Sequence, residues 1–331
     1  MVTSIENNIK IIRTNSYEIK FNMLTGVEIT QGINGYNDPR VLEMCSLIDI
    51  GVMGHCNNRC NFCYQGDIQQ PNMKLQDYKK IILESKNSVM QVALGGRGNP
   101  DEHENFYELL AFARQNNIIP NYTTAGNTMT KEKAELSKMT GATAVSDYNE
   151  NFTYNAINLL MAAGVKTNIH TIVSKQSMDR ILKILDGEDV WGGRVDISKL
   201  NAVIFLLFKP QGRGKQYPEW APTNEQIKDF IKLMRNPKCE FKIGLDSCMV
   251  CRISQLDNLS EQEKMFIDTC EASRMSMYIT PNMIAKPCSF GDDSYGINLK
   301  NISIEYAWNS LNFNIIRSKL LFNPTKCPFG L

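Results

Sequence analysis

The sequence predicts an α/β fold in which six strand–helix units build a parallel sheet covered by helices. Three observations carry this. From residue 46 to 238, short runs rich in Val, Ile and Leu alternate with stretches whose apolar residues recur at helical spacing. The exit loops of the strands hold the glycines, hydroxyl residues and cysteines, where chemistry is placed in such sheets. The ten cysteines avoid the middle of the chain: four lie in positions 45–63 and six in 239–327. Right-handed crossovers curl such a sheet into an open barrel or leave it doubly wound.

The elements follow in order. Residues 1–45 carry strand patterns at 9–12, 17–21 and 27–30 around a Thr25-Gly26 turn, which reads as a β-ribbon lead-in. The first strand of the main array is 46–52, and Leu75, Tyr78, Ile81 and Ile82 mark the helix after it. The second strand, 89–94, ends in Gly95-Gly96-Arg97-Gly98 and precedes a helix with Phe106, Leu109, Leu110 and Ala113. Strands at 118–124, 142–146, 165–173 and 202–208 follow, each with its helix. The last helix opens on a capping box, Thr223 to Gln226. After residue 239 the alternation is expected to stop in favour of a hairpin near 276–288 and one helix over 303–320, with Ile304, Trp308, Leu311 and Ile315 on one side.

Charge narrows the function classes. With 36 basic and 35 acidic residues the chain lacks the surplus of a strongly basic nucleic-acid surface. Residues 1–8 lack the basic and apolar regions of a signal peptide, and no stretch is apolar enough to span a bilayer, so a cytoplasmic location is expected. Thiols stay reduced there, which favours metal ligation over disulfides for ten cysteines.

The most specific signal is Cys56-Asn57-Asn58-Arg59-Cys60-Asn61-Phe62-Cys63 on the exit loop of the first strand. Structural zinc and iron–sulfur sites take four protein ligands, whereas this C-x3-C-x2-C run supplies three. Three cysteines on a cubane cluster leave one iron open to another molecule. The plain alternative is a zinc site completed by a distant cysteine such as Cys45.

This motif, with an aromatic before its last cysteine and a (βα)6 array around it, resembles the radical S-adenosylmethionine superfamily over residues 46–245. The resemblance implies a partial (βα)6 TIM-like barrel at 46–238 and a 4Fe–4S cluster on Cys56, Cys60 and Cys63. It further implies S-adenosylmethionine chelated to the open iron, and an electron donor such as flavodoxin or ferredoxin. Reductive cleavage would give a 5′-deoxyadenosyl radical that abstracts hydrogen from substrate. Phe62 would lie against the adenine. Gly95 and Gly96 match the family's Gly-Gly-Glu stretch for the methionine amino group, although Arg97 replaces the acidic residue. Thr123, Thr124, Ser146 and Asn168 match polar residues facing the ribose and carboxylate. His170 reads as a satisfied barrel histidine. Lys209, Arg213 and Lys215 form a basic loop that is either solvated or binds an acidic peptide or phosphate.

Residues 239–331 resemble the SPASM region or its shorter Twitch form, a small cysteine-rich α+β extension. Six cysteines fall short of the seven-cysteine pattern, which implies one auxiliary 4Fe–4S cluster on Cys248, Cys270, Cys288 and Cys327. Cys251 would replace Cys248, donate a hydrogen atom to a substrate radical, or stay inert, as would Cys239 and Cys45. Relatives with such appendages mostly crosslink, epimerise or oxidise peptides, so a peptide substrate is expected. The rival readings are a radical enzyme acting on a nucleotide, RNA or small metabolite, and a non-catalytic iron–sulfur or zinc sensor.

Overall fold

Strand β5 (Leu47–Met53) organises the molecule. The computed structural model describes residues 1–265 and 267–330. Before β5 stand four antiparallel strands, β1 (Val2–Glu6), β2 (Ile9–Arg13), β3 (Tyr17–Asn22) and β4 (Glu28–Gly32), forming a sheet of their own in sequence order. β1 is absent from the sequence expectation because it is almost wholly exposed and shows no alternation.

After β5 the strand–helix units run as expected: α1 (Leu75–Ser85), β6 (Gln91–Gly96), α2 (Phe106–Gln115), β7 (Ile119–Thr124), α3 (Lys131–Leu136), β8 (Thr143–Ser146), α4 (Asn151–Ala162), β9 (Thr167–Val173), α5 (Met178–Leu185), β10 (Ala202–Leu207) and α6 (Asn224–Met234). The helices bury the residues their spacing marks, such as Tyr78, Ile81 and Ile82 on α1. The Thr223–Gln226 capping box forms at α6.

The alternation does not stop at residue 239. A seventh parallel strand, β11 (Lys242–Leu245), pairs with β10 and leads into α7 (Ser247–Leu256) and a short α8 (Glu261–Lys264). Its four half-buried or exposed residues made it hard to read as a strand. Strands β12 (Ser276–Ile279), β13 (Ile284–Lys286) and β14 (Ile297–Asn298) then continue the same sheet on the other side of β5, with β12 parallel to it. The ten-stranded order is β11-β10-β9-β8-β7-β6-β5-β12-β13-β14. From β5 to β11 each strand lies beside its predecessor and the order never reverses. That is the order of an open barrel, since a doubly wound sheet needs a switch point.

The expected single helix over 303–320 is two, α9 (Ile304–Trp308) and α10 (Leu311–Phe322). Ser310 breaks it by acting as an N-cap, its side chain accepting from the Phe313 amide. The break rotates the stripe, so α10 buries Phe313, Ile316 and Leu320. Leu311 is left 74% exposed and Ile315 38%.

The N-terminal sheet closes the amino-terminal end of the barrel. Its Ile12, Tyr17, Ile19 and Phe21 pack on Met90 and Ile119 at the strand starts. Lys10, fully buried on β2, donates from Nζ to the carbonyls of Lys86, Val89 and Asn117 at 2.7, 2.7 and 3.1 Å. Burial pulls its pKa down to about 8, yet three acceptors use all three ammonium hydrogens. Lys166 Nζ donates to the Leu24 and Thr25 carbonyls, seating the β3–β4 turn under the barrel. Lys10→Met should strand three carbonyls and cost about 2–4 kcal/mol. A denaturant titration should show the lower midpoint, and an unchanged one would mean the sheet docks by its apolar face alone.

Candidate active site at the carboxyl ends of the strands

The cysteine loop leaves β5 at the end of the barrel opposite the N-terminal sheet. The Cys63 amide donates to the Cys60 carbonyl, closing a turn, and Arg59 takes a left-handed φ of 46° to admit it. The three thiols share one neighbourhood. Burial raises the Cys60 pKa, Tyr148 lowers it by hydrogen bonding, and Cys63 and Cys56 push it further up. Tyr148 Oη stands 3.1 Å from Cys60 Sγ. Among the described residues no three Cys, His, Asp or Glu side chains converge tightly enough to hold a single metal ion. Cys45 is fully buried in the hydrophobic core, so completing a zinc site with it would require rebuilding that core.

Arg213 braces this loop. Its amide donates to the Cys63 carbonyl at 2.9 Å and its Nε to the Cys60 carbonyl at 2.8 Å, while Nη1 reaches Asp67 at 2.6 Å. Gly212, at φ +54°, lets the two segments touch: a Cβ there would fall 2.4 Å from the Tyr64 carbonyl oxygen. Lys209 is equally engaged, buried and paired with Asp246, with its ammonium 4.6 Å from the Phe290 ring centre. Neither cation is free to meet a phosphate or an acidic peptide. Of the three basic residues of that loop only Lys215 is exposed. Sequence spacing puts these residues after a strand end, but does not show that the charge of Lys209 and Arg213 is spent on carbonyls and carboxylates.

The other expected residues divide by strand position. Gly95 and Gly96 end β6 beside β5, where a Cβ on Gly96 (φ +109°) would strike the Met53 carbonyl, whereas one on Gly95 meets nothing within 4 Å. Gly96 is therefore required for strand packing, and open space lies at Gly95. Thr123 faces the lumen, with Oγ1 3.4 Å from His170 Nδ1. Thr124, one residue on, points the other way: it is buried and its Oγ1 accepts from the Gly126 amide. Ser146 ends β8, paired with His170 across the ladder. Burial lowers the His170 pKa to about 4, which keeps the ring neutral. Asn168 is the second residue of β9 and lies near the amino-terminal end, accepting from Asn201 Nδ2 at 2.7 Å. It shares with Gln91, Asn121 and Lys166 a cavity of about 340 Å³ over the Thr25-Gly26 turn. Thr124 and Asn168 are thus not brought to the mouth: strand alternation turns the first away and strand position lowers the second. Phe62 packs on Tyr148 with ring centres 5.8 Å apart.

The second cysteine group assembles from four segments. Cys248 and Cys251 lie on α7, Cys270 follows the α7–α8 region, Cys288 follows β13 and Cys327 lies in the C-terminal tail. Burial raises the thiol pKa values of Cys270 and Cys288 to about 12 and raises that of Cys248 as well, and each of the three feels the others or Cys327. Cys251 belongs to the same group. It is buried, its thiol donates to the Pro324 carbonyl at 3.6 Å, and Cys327 adds to its raised pKa. That bond turns Cys251 toward the C-terminal tail. Five sulfurs therefore stand where four were chosen. Cys239 remains apart, before β11. The two cysteine groups are joined by Tyr64 and Phe290, whose ring centres are 4.4 Å apart.

Between these groups lies a polar wall that the sequence did not disclose. Asp49 projects from the middle of β5 and makes no hydrogen bond among the described residues. Burial raises its carboxyl to about 6. Tyr278, its ladder partner on β12, reaches over Gly51. Gln65 Nε2 and Arg97 Nε are buried without partners. Such orphaned donors and an unpaired carboxylate fit a polar ligand there. A carboxylate centred in the apolar run Leu47-Ile48-Asp49-Ile50 was the signal that could have been used.

Two predictions follow from this geometry. Gly212→Ala should unseat the cysteine loop, with a left-handed φ costing about 1–2 kcal/mol before the clash is counted. Iron retained after anaerobic reconstitution should fall, and equal loading would mean that the loop orders without Arg213. Asp49 is protonated more readily in the folded chain than in the unfolded one, so it removes stability as pH rises from about 4 to about 6. Asp49→Asn should match the wild type near pH 4 and exceed it by about 2–3 kcal/mol above pH 7, read from denaturation midpoints.

No protein-family model matches the chain, and no curated protein does. Solved structures do share its fold. SuiB of Streptococcus suis bound to S-adenosylmethionine superposes with a TM-score of 0.70 at 17% identity, over 95% of this chain and 90% of that one. SuiB bound to its precursor peptide SuiA gives 0.69 at 16%, over 96% and 90%. The protein anSMEcpe with bound AdoMet and the Cp18Cys peptide gives 0.58 at 13%, over 81% of each. Over most of its length the chain has the fold of these S-adenosylmethionine-binding proteins.

Proposed function

We propose that the chain is a radical S-adenosylmethionine enzyme that modifies a peptide or protein. One observation carries this reading. The Cys56-Cys60-Cys63 loop, Gly95, Thr123 and Ser146 all sit at the carboxyl ends of one parallel sheet, and a second cysteine group approaches the same mouth through the Tyr64–Phe290 contact. Cys56, Cys60 and Cys63 would hold a 4Fe–4S cluster, and Cys248, Cys270, Cys288 and Cys327 an auxiliary one, with Cys251 within reach as an alternate ligand. The chemistry such a cluster supplies with S-adenosylmethionine is reductive cleavage to a 5′-deoxyadenosyl radical and hydrogen abstraction.

The chain's own residues do the rest. Arg213 and Gly212 hold the loop in place through the Cys60 and Cys63 carbonyls. Phe62 and Tyr148 offer an aromatic surface beside it, and Thr123 and Ser146 offer hydroxyls. Asp49, Gln65, Arg97 and Tyr278 line the space between the two cysteine groups with donors and an acceptor, as a peptide's polar groups require. The N-terminal sheet packs against the opposite end through Ile12, Tyr17, Ile19 and Phe21. The solved complexes of SuiB with SuiA and of anSMEcpe with Cp18Cys support the peptide class. The nucleotide reading loses its basis, because Lys209 and Arg213 are committed within the protein.

Anaerobic reconstitution tests the proposal. About eight irons per chain are expected for two 4Fe–4S clusters. Reductive release of 5′-deoxyadenosine should occur in the wild type and vanish in Cys60→Ala. Iron without cleavage would favour a sensor, and zinc in place of iron would remove the enzyme reading altogether.

A further inference from the structure

Tyr148 is the one residue outside the cysteine motif whose side chain touches a motif sulfur among the hydrogen bonds of the described residues. It sits two residues past the end of β8, and its ring is held on both sides. Phe62 of the cysteine loop and Phe152 of α4 each lie 5.8 Å away between centres. The segment is pinned as well: the Asp147 amide donates to the His170 carbonyl at 2.9 Å, and the Asp147 carboxylate pairs with Arg180 at 3.1 Å. The hydroxyl is thereby delivered 3.1 Å from Cys60 Sγ by a fixed platform. In a free thiol either group can donate. A thiolate bound to iron has no hydrogen, so the direction is then settled and Tyr148 must donate.

We propose that Tyr148 is a positioning residue that sets the reduction potential of the cluster held by Cys56, Cys60 and Cys63, by donating an O–H···S hydrogen bond to Cys60. The inference rests on the iron–sulfur reading given above. A donor on a ligating sulfur stabilises the more negative, reduced state and so raises the potential. Without it the cluster is harder to reduce. The same bond ties the segment that follows Ser146, the last residue of β8, to the sulfur.

Tyr148→Phe keeps the ring and both aromatic contacts and removes only the hydroxyl. In reconstituted protein, an EPR-monitored redox titration should show about a three- to tenfold smaller ratio of reduced to oxidised cluster at a fixed potential, where tenfold corresponds to 59 mV for one electron. Iron content should be unchanged. Tyr148→Leu, which also loses the ring, should show the same shift or a larger one and looser iron. If both proteins bind iron and their midpoints coincide, or if Tyr148→Phe is the more easily reduced, this inference fails while the cluster reading stands. If the wild type forms no reducible cluster on its three cysteines, the cluster reading fails and takes the inference with it.

Discussion

The structure depends on the seat of the cysteine loop between the end of β5 and the segment after β10. Arg213 supplies two hydrogen bonds to the carbonyls of Cys60 and Cys63, and Gly212 permits the contact. An eight-residue run with three thiols, an exposed arginine at positive φ and little apolar content has no intrinsic reason to hold one shape. It is shaped from outside. One backbone bond and one charge-assisted bond to carbonyls are well suited to this, since they fix the peptide planes without competing for the sulfurs.

Around that seat the molecule is closed from two directions. The N-terminal sheet covers the amino-terminal rim through an apolar face and the Lys10 ammonium. The C-terminal hairpin extends the sheet past β5, so the second cysteine group is built onto the barrel rather than tethered to it. Tyr64 and Phe290 then join the two cysteine segments directly. The polar wall of Asp49, Gln65, Arg97 and Tyr278 lies where these parts meet. Its unpaired groups are costly for folding and retained all the same, which is the usual mark of a site kept for a ligand.

Much of this was legible in the residues. Period-2 and period-3.6 patterns located the array from β5 to α6, and the Thr223–Gln226 box located a helix start, because both are local consequences of burial on one face. Where a pattern was weak, the reading failed. β1 and β11 have no alternation to reveal them, and both owe their existence to a neighbouring strand. Ser310 was overlooked as a cap, and that one residue rotated the whole expected stripe of the last helix.

The sequence by itself determined the strand–helix order, the three-thiol loop and the segregation of the cysteines into two groups, since these depend on composition and spacing along the chain. Only the tertiary structure decided how charge is spent. Lys209 and Arg213 are spoken for by Asp246 and by carbonyls more than a hundred residues away, Thr124 points away from the mouth, Asn168 lies near the amino-terminal end of its strand, and the Tyr148 hydroxyl meets Cys60. Such pairings rest on which atoms lie within about 3 Å in three dimensions, and no periodicity encodes that distance.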